Sequence, residues 1–206
     1  LSAFEGTSLE EFTIPASVTT VENRAVAYTE LTSIIIPNTV MSVGSEAFYG
    51  CLSLEIVQLG TGLSEIVDYT FMNCSMIERM TIPANIVKIG LNAFNGCSNL
   101  KLELEAGNPA LLAKDGVIFT KNYEVIFFPA GKSTFTIPKD MTTLPDNFAI
   151  DHGITSMTVE EGNASFVEED GIVYTADKSK VVFLPPTLTS FVISKDMTST
   201  SLIDLL

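Results

Sequence analysis

Apolar and polar residues follow a short recurring pattern along this chain. Its cleanest copy is "LTSIIIPNTV", residues 31–40. Side chains alternate between the two faces of a strand, so Ile34 and Ile36 share one face of a short strand. Val40 and Val43 continue the inward side, and the next residues, "SEAF", predict a turn or a single helical turn that buries Phe48. The pattern therefore predicts a unit made of a short strand and a turn over an apolar interior.

Three sets of positions repeat this unit with a period of 22 or 23 residues over the first half of the chain. The aromatic position of the turn is occupied by Phe4, Val26, Phe48, Phe71, Phe94 and, later, Phe148. The apolar position that ends each strand is occupied by Ile14, Ile36, Leu59, Ile82, Leu104, Ile137, Val159 and Ile193. Cysteines stand at Cys51, Cys74 and Cys97. Because one such unit cannot bury its apolar side alone, the shared period predicts a solenoid of stacked coils.

Two longer units interrupt this spacing in the second half of the chain. Asp115-Gly116 in the first recurs as Asp170-Gly171 in the second, 55 residues later. In the first unit "GVIFT" and "EVIFF" flank "KNY", and in the second "GIVYT" and "KVVFL" flank "ADKS". Each pair predicts a β-hairpin, with Asp-Gly as the turn that enters its first strand. We expect one array over 1–206, with plain coils over about 1–104 and 138–159 and hairpin-bearing coils over about 105–137 and 160–193.

The segment "LTSIIIPNTVMSVGSEAFYGC", residues 31–51, resembles the BspA-type leucine-rich repeat, L-T-S-I-x-I-P-x-x-V-x-x-I-G-x-x-A-F-x-x-C. The likeness is strongest over 31–97. It is weaker over 1–30 and 141–151, where Thr7, Thr29 and Asp151 fall near the cysteine position. The hairpin unit "DGVIFT…FFPAGK…FTIP" is also similar to modules of this family. The resemblance implies a right-handed, mostly β leucine-rich-repeat solenoid with a concave parallel sheet, short helical or irregular turns opposite, and two β-hairpin insertions.

The same resemblance implies a secreted or surface-exposed protein of a bacterium or a parasitic protist, which binds host matrix proteins or other cells. The chain begins at Leu1 rather than Met, so we expect a piece of a longer protein whose targeting segment is absent. An extracellular or cell-surface location is therefore expected from the family alone. Open edge strands at the two ends favour end-to-end self-association.

Composition excludes two classes of partner. The net charge of −14 and the pI near 4.3 oppose contact with a phosphate backbone, so no nucleic acid is expected. No apolar run approaches the roughly 20 residues that span a bilayer, so membrane insertion is not expected. Hydrophobic residues make up 46% of the chain, which is ample for a core.

The three cysteines are the first candidates for chemistry. Equivalent positions on adjacent coils lie about 4.8 Å apart, within the window of about 4.4–6.8 Å between Cα atoms of a disulfide. Cys51–Cys74 or Cys74–Cys97 thus stays open on distance alone. Parallel inward side chains are poorly aimed for this bond, which favours a buried, reduced ladder. A zinc site is disfavoured because no fourth ligand accompanies the three thiols.

The single histidine and the carboxylates are weak candidates for catalysis or metal binding. His152 follows Asp151 in a loop and lacks the motif of a nucleophile and its base, so a solvated side chain is favoured. Glu103, Glu105, Asp115 and the acidic residues of 159–171 predict a solvated acidic surface, with incidental calcium as the minor alternative. A glycosidase needs two carboxylates about 5–9 Å apart, and spacing along the chain does not establish that. We expect no catalytic residue, cofactor or metal.

The outward strand positions remain as the candidate surface. They are small, β-branched or charged, and comprise Glu11, Thr13, Ser33, Ile35, Ile56, Gln58, Arg79, Thr81, Lys101, Glu103, Thr134, Thr136, Ser156, Thr158, Ser190 and Val192. Such residues also simply suit an exposed strand. Exposed apolar area with a polar rim can mark an interaction site. We therefore predict a partner-binding patch on the concave face, formed by Ile35, Ile56, Gln58, Arg79, Lys101 and Glu103.

The predicted function is a non-catalytic, adhesion-type module that binds a protein or a glycan on another cell or in the host matrix. The alternative is a structural spacer with no ligand of its own. An enzyme ranks last of the three.

Overall fold

The computed structural model describes residues 3–90 and 92–192, in two units, Leu1–Ala130 and Gly131–Leu206. The strands of the first unit are, in chain order, β1 Thr20–Val21, β2 Ser33–Ile35, β3 Ser42–Val43, β4 Ile56–Gln58, β5 Glu65–Ile66, β6 Arg79–Ile82, β7 Lys88–Ile89, β8 Lys101–Leu104, β9 Leu111–Lys114, β10 Val117–Thr120 and β11 Val125–Phe127. The second unit contains β12 Thr134–Ile137, α1 Phe148–Asp151, β13 Ser156–Val159, β14 Phe166–Glu169, β15 Ile172–Thr175 and β16 Val181–Phe183. Among the described residues α1 is the only helix, so the predicted mostly β fold is confirmed.

Coils of the first unit are joined by two sets of parallel strand pairs. The first strand of a coil pairs with its counterpart in β2–β4 and β6–β8, and a second, two-residue strand pairs in β1–β3 and β5–β7. Burial alternates along β6, where Met80 and Ile82 point inward and Arg79 and Thr81 face solvent. The pairs are parallel because each coil repeats the direction of the one before. The solenoid predicted from the repeat is therefore present in this unit.

The turns add a third connection between coils. The amide of Phe48 donates to the carbonyl of Thr70 at 3.0 Å, and that of Phe71 donates to the carbonyl of Ala93 at 2.9 Å. These segments are hydrogen-bonded turns, so of the two options predicted for "SEAF" the structure shows the turn rather than a helix. Backbone pairing at three places around the coil fixes each repeat against its neighbours.

Phenylalanine rings form the centre of this core. The rings of Phe48 and Phe71 stack 5.2 Å apart with an interplanar angle of 7°, and those of Phe71 and Phe94 stack 5.8 Å apart at 3°. Phe4 occupies the same repeat position but is 38% exposed and tilts against Phe12 at 5.0 Å. The next coil offers the aliphatic Val26 there, so the stack of parallel rings does not extend to Phe4.

A three-stranded antiparallel sheet follows β8. The predicted hairpin is β10–β11, and β9 adds a strand that the sequence pattern did not predict. Asp115 and Gly116 join β9 to β10 with φ of 51° and 81°, which is the type I′ geometry that Asp-Gly favours. Asn108 starts this sheet, because its Oδ1 accepts from the amides of Ala110 and Leu111 at 3.0 and 2.8 Å.

The second unit repeats this arrangement. Strands β12 and β13 pair in parallel, and β14–β15–β16 form an antiparallel sheet whose Asp170-Gly171 turn has φ of 53° and 80°. Asn163 takes the role of Asn108: its Oδ1 accepts from the amides of Ser165 and Phe166 at 2.8 and 2.9 Å. Both predicted hairpin insertions are thus present, each as part of a three-stranded sheet. Ile193, the last predicted core position, lies outside the described residues, and a single array over 1–206 stays a prediction.

Candidate partner-binding surface

The exposed face of β2 and β4 carries two isoleucines. Ile35 is 60% exposed and Ile56 is 63% exposed, whereas Ile34 and Val57 between them point into the core. In the parallel register Ile35 lies opposite Gln58 and Ile56 lies opposite Ser33, so the two isoleucines are diagonal neighbours. The predicted outward positions of the chain are all exposed except Thr136, which is half-buried.

Charged residues continue this face on β6 and β8. Arg79 lies directly opposite Lys101, and Thr81 lies opposite Glu103. The Arg79 guanidinium forms an ion pair with the Glu103 carboxylate, diagonally across the two strands. Lys101 has no ion-pair partner among the described residues. Two cations therefore stand side by side on this face, one in an ion pair and one without an ion pair among the described residues.

A shallow depression of about 330 Å³ lies beside these cations, lined by Glu78, Arg79, Asn99 and Lys101. The backbone around it is fixed, because the amide of Lys101 donates to the carbonyl of Glu78 at 2.9 Å. Met80 and Leu102, on the inward side of the same strands, are buried. The four side chains thus project from a rigid pair of strands. Sequence spacing predicted Arg79 and Lys101 for this face, but Glu78 and Asn99 precede their strands and were not predicted.

The patch of six predicted residues falls on two neighbouring strand pairs. Strands β4 and β6 lie side by side, although the ladder pairs are β2–β4 and β6–β8. Ile35, Ile56 and Gln58 belong to the first pair, and Arg79, Lys101 and Glu103 belong to the second. The structure places all six on solvent-exposed strand positions, and their role in binding stays a prediction.

The cysteines form a second regular feature, inside the coils. All three thiols are free and buried, as the predicted reduced ladder requires. Each donates a hydrogen bond to a carbonyl of the preceding coil: Cys51 to Val26 at 3.2 Å, Cys74 to Phe48 at 3.0 Å and Cys97 to Phe71 at 3.1 Å. Burial raises the pKa of the Cys51 and Cys74 thiols, and it raises the pKa of Cys97 to about 11. These thiols therefore connect coils and are poor nucleophiles.

Two other polar candidates, His152 and Glu105, contact neighbouring parts of the fold. His152 is half-buried with its ring 4.8 Å from that of Phe148, and this burial lowers its pKa while Asp151 opposes the shift. Glu105 accepts a hydrogen bond from the amide of Ala84 at 2.8 Å, so this carboxylate links two coils. Within 3–90 and 92–192, no group of three or more His, Cys, Asp or Glu side chains could hold a metal ion. No helix in the same ranges is long and apolar enough to cross a membrane.

Comparison with known proteins agrees with this architecture. The chain is 25% identical to the pneumococcal vaccine antigen PcpA, with a TM-score of 0.65 over 77% of this chain and 42% of PcpA. It is 21% identical to a leucine-rich repeat protein from Eubacterium ventriosum, with a TM-score of 0.51 over 71% of this chain and 46% of the other. The chain thus spans less than half the length of either protein. No curated protein sequence gives a significant match.

The sequence profile of the BspA type leucine rich repeat region matches residues 1–108 in six copies. This range contains the repeating aromatic, apolar and cysteine positions of the first unit. It is more than half of the 206 residues. Profile, repeat and stacked coils agree: the chain belongs to the BspA type leucine-rich repeat family.

Proposed function

We propose that this chain is a non-catalytic binding module that contacts a protein or a glycan outside the cell through the exposed face of β2, β4, β6 and β8. One observation carries the proposal: Ile35 and Ile56 present apolar side chains to solvent on neighbouring strands, beside polar and charged side chains. Single exposed apolar residues are ordinary. Two adjacent ones beside a polar rim have the composition of an interface centre.

The scaffold favours recognition on this face. Its outward side chains stand on strands whose alternate residues are buried, so their positions are set before a partner arrives. Pre-organised side chains lose less freedom on binding, which favours affinity. A stable protein contact buries more than about 1,000 Å² in total, so a protein partner would cover several coils.

An extracellular location supports the same function. The family resemblance implies a surface or secreted protein, and the name of the pneumococcal relative describes it as a vaccine antigen. An extracellular location of this chain is part of the proposal. A protein on the outside of a cell meets matrix proteins and glycans, which are the partner classes proposed here.

Immobilised protein should be tested against a panel of purified extracellular-matrix proteins and defined glycans. The decisive variant is Ile35→Ser with Ile56→Ser, and the matched control is Met41→Ser with Val87→Ser, which removes two exposed apolar side chains outside the four strands. We expect saturable binding that the first double variant abolishes and the control retains. Equal loss in both variants would indicate non-specific adhesion. No binding by a folded protein to any member of the panel would favour the structural spacer.

A further inference from the structure

We propose that the depression lined by Glu78, Arg79, Asn99 and Lys101 binds one carboxylate-bearing sugar residue of an acidic glycan. This inference rests on the proposed function and assigns a ligand class to part of the same face. It follows from a lysine without an ion pair among the described residues, from the mixture of polar groups around it, and from the size of the depression.

The lysine without an ion pair among the described residues is Lys101. Like charges directly opposite each other on neighbouring strands destabilise a sheet, and Arg79 and Lys101 stand opposite each other here. Glu103 compensates Arg79 through their ion pair, whereas Lys101 has no such partner within the described residues. An anion bound at Lys101 would relieve this repulsion. A carboxylate suits the role, because an ammonium group binds it through charge-assisted hydrogen bonds.

The other lining groups indicate more than a bare anion. Glu78 offers only acceptor oxygens, and Asn99 offers both a carbonyl oxygen and an NH₂ group. An inorganic sulfate would present only acceptors to Glu78 and would be repelled by it. A sugar acid instead carries hydroxyl groups that donate to Glu78 and accept from Asn99, while its carboxylate faces Lys101. The lining thus matches a ligand with one negative charge and several hydroxyl groups.

Size and surroundings favour one sugar residue of a chain. The depression of about 330 Å³ lies at the lower end of the roughly 300–1,000 Å³ typical of small-molecule sites. Ile56 occupies the outward position of Arg79 one coil earlier, and β4 lies beside β6. The neighbouring residue of a glycan could pack its apolar C–H face there. An acidic peptide would also satisfy Lys101, but its side-chain carboxylates cannot donate to Glu78 as sugar hydroxyl groups can.

The experiment compares oligogalacturonate, its methyl ester and poly-glutamate as ligands of the immobilised protein. We expect binding of oligogalacturonate alone, with affinity reduced about tenfold or more by Lys101→Met, as expected for loss of a charge-assisted hydrogen bond. Lys101→Arg should retain binding. Lys121→Met, an exposed lysine on the turn after β10, is the control with the same change of net charge and should bind as the unmodified protein does. Glu78→Ala should weaken binding of the sugar acid.

Several outcomes overturn the inference. Equal binding of the methyl ester would show that the carboxylate is not recognised, and equal binding of poly-glutamate would identify an acidic peptide site. Tighter binding after Glu78→Ala would show that this carboxylate only repels the ligand. If oligogalacturonate does not bind but Ile35→Ser with Ile56→Ser abolishes capture of a matrix protein, the proposed function stands and this inference fails. If nothing binds, both fail.

Discussion

Replacement of Phe71 by alanine tests the stacked core that holds the coils together. Phe71 is 1% exposed, and its ring lies between those of Phe48 and Phe94, at 5.2 and 5.8 Å. Truncation of a buried phenylalanine to alanine costs about 3–5 kcal/mol, and the cost is largest where the surroundings cannot collapse. Here the coils on both sides are fixed by backbone hydrogen bonds of the turns. We therefore expect a loss of about 4–5 kcal/mol in the free energy of unfolding of the first unit.

A matched variant separates stacking from simple burial. Phe4→Ala removes the same side chain from the same repeat position, but that ring is partly exposed and stacks on no neighbour in the ladder. Its loss should cost about 1–2 kcal/mol, because only part of the ring leaves water on folding. A double-mutant cycle between Phe48 and Phe71 should give a coupling of about 0.5–1.5 kcal/mol, the contribution of one aromatic pair.

Urea denaturation followed by circular dichroism measures these losses. Amide exchange in β4, β6 and β8 assigns them to the first unit, since a chain with two units need not unfold in one step. The reasoning would be refuted if Phe71→Ala cost no more than Phe4→Ala and the cycle gave no coupling. The rings would then fill space without contributing to adhesion between the coils.

Two further predictions concern a glycine and a carboxylate. Gly6 and Gly50 have nearly the same backbone, with φ of 69° and 68°. Among the residues that the structure describes, an added Cβ at Gly6 meets no atom within 4 Å, whereas one at Gly50 lies 2.7 Å from the Tyr28 ring. Gly6→Ala should cost about 1–2 kcal/mol for the left-handed backbone alone, and Gly50→Ala should lower the Tm further. Tyr28→Ala should remove the excess, and equal Tm values for the two glycine variants would contradict the clash. Hydrogen bonds from Thr175 and Ser179 lower the pKa of Asp177 to about 2, so its ionised form stabilises the fold above the ordinary value of 3.8 and this contribution disappears as the pH falls through about 2. Thr175→Val should raise this pKa in an NMR titration, and an unchanged value would show that the Thr175 bond is not its cause.

The inward positions of the first unit were predictable because each one faces its own copy in the next coil. Phe48, Phe71 and Phe94 stack as their common period suggests, and the buried thiols of Cys51 and Cys74 follow the same rule. The period does not reveal what each group bonds. That the thiols donate to carbonyls of the preceding coil depends on side-chain direction, which a ladder of residue types does not contain.

The third strand of each antiparallel sheet was missed for a local reason. The run before Asp115-Gly116, Leu111–Lys114, contains only two strongly apolar residues and ends in a charge, so its strand pattern is weak. The available signal was the Asp-Gly pair itself, which joins strands on both of its sides. Asn108 and Asn163, which begin these sheets, were visible as a 55-residue repeat, but their hydrogen bonds follow only from the folded backbone.

At outward positions the repeat does not determine the residue type. These positions can therefore vary to suit a partner. The repeat requires that position 79 face solvent but does not require an arginine there. Several carboxylates near Arg79 in sequence could have paired with it, and only the register of β6 and β8 selects Glu103. That choice leaves the positive charge of Lys101 without a partner among the described residues and beside the carboxylate of Glu78 and the amide of Asn99. At the proposed site, ligand specificity would therefore depend on which cross-strand pairs form. Substitution of Glu103 should alter the affinity of the proposed site for its anion. The Arg79 guanidinium, freed from its ion pair, would attract the same anion as Lys101.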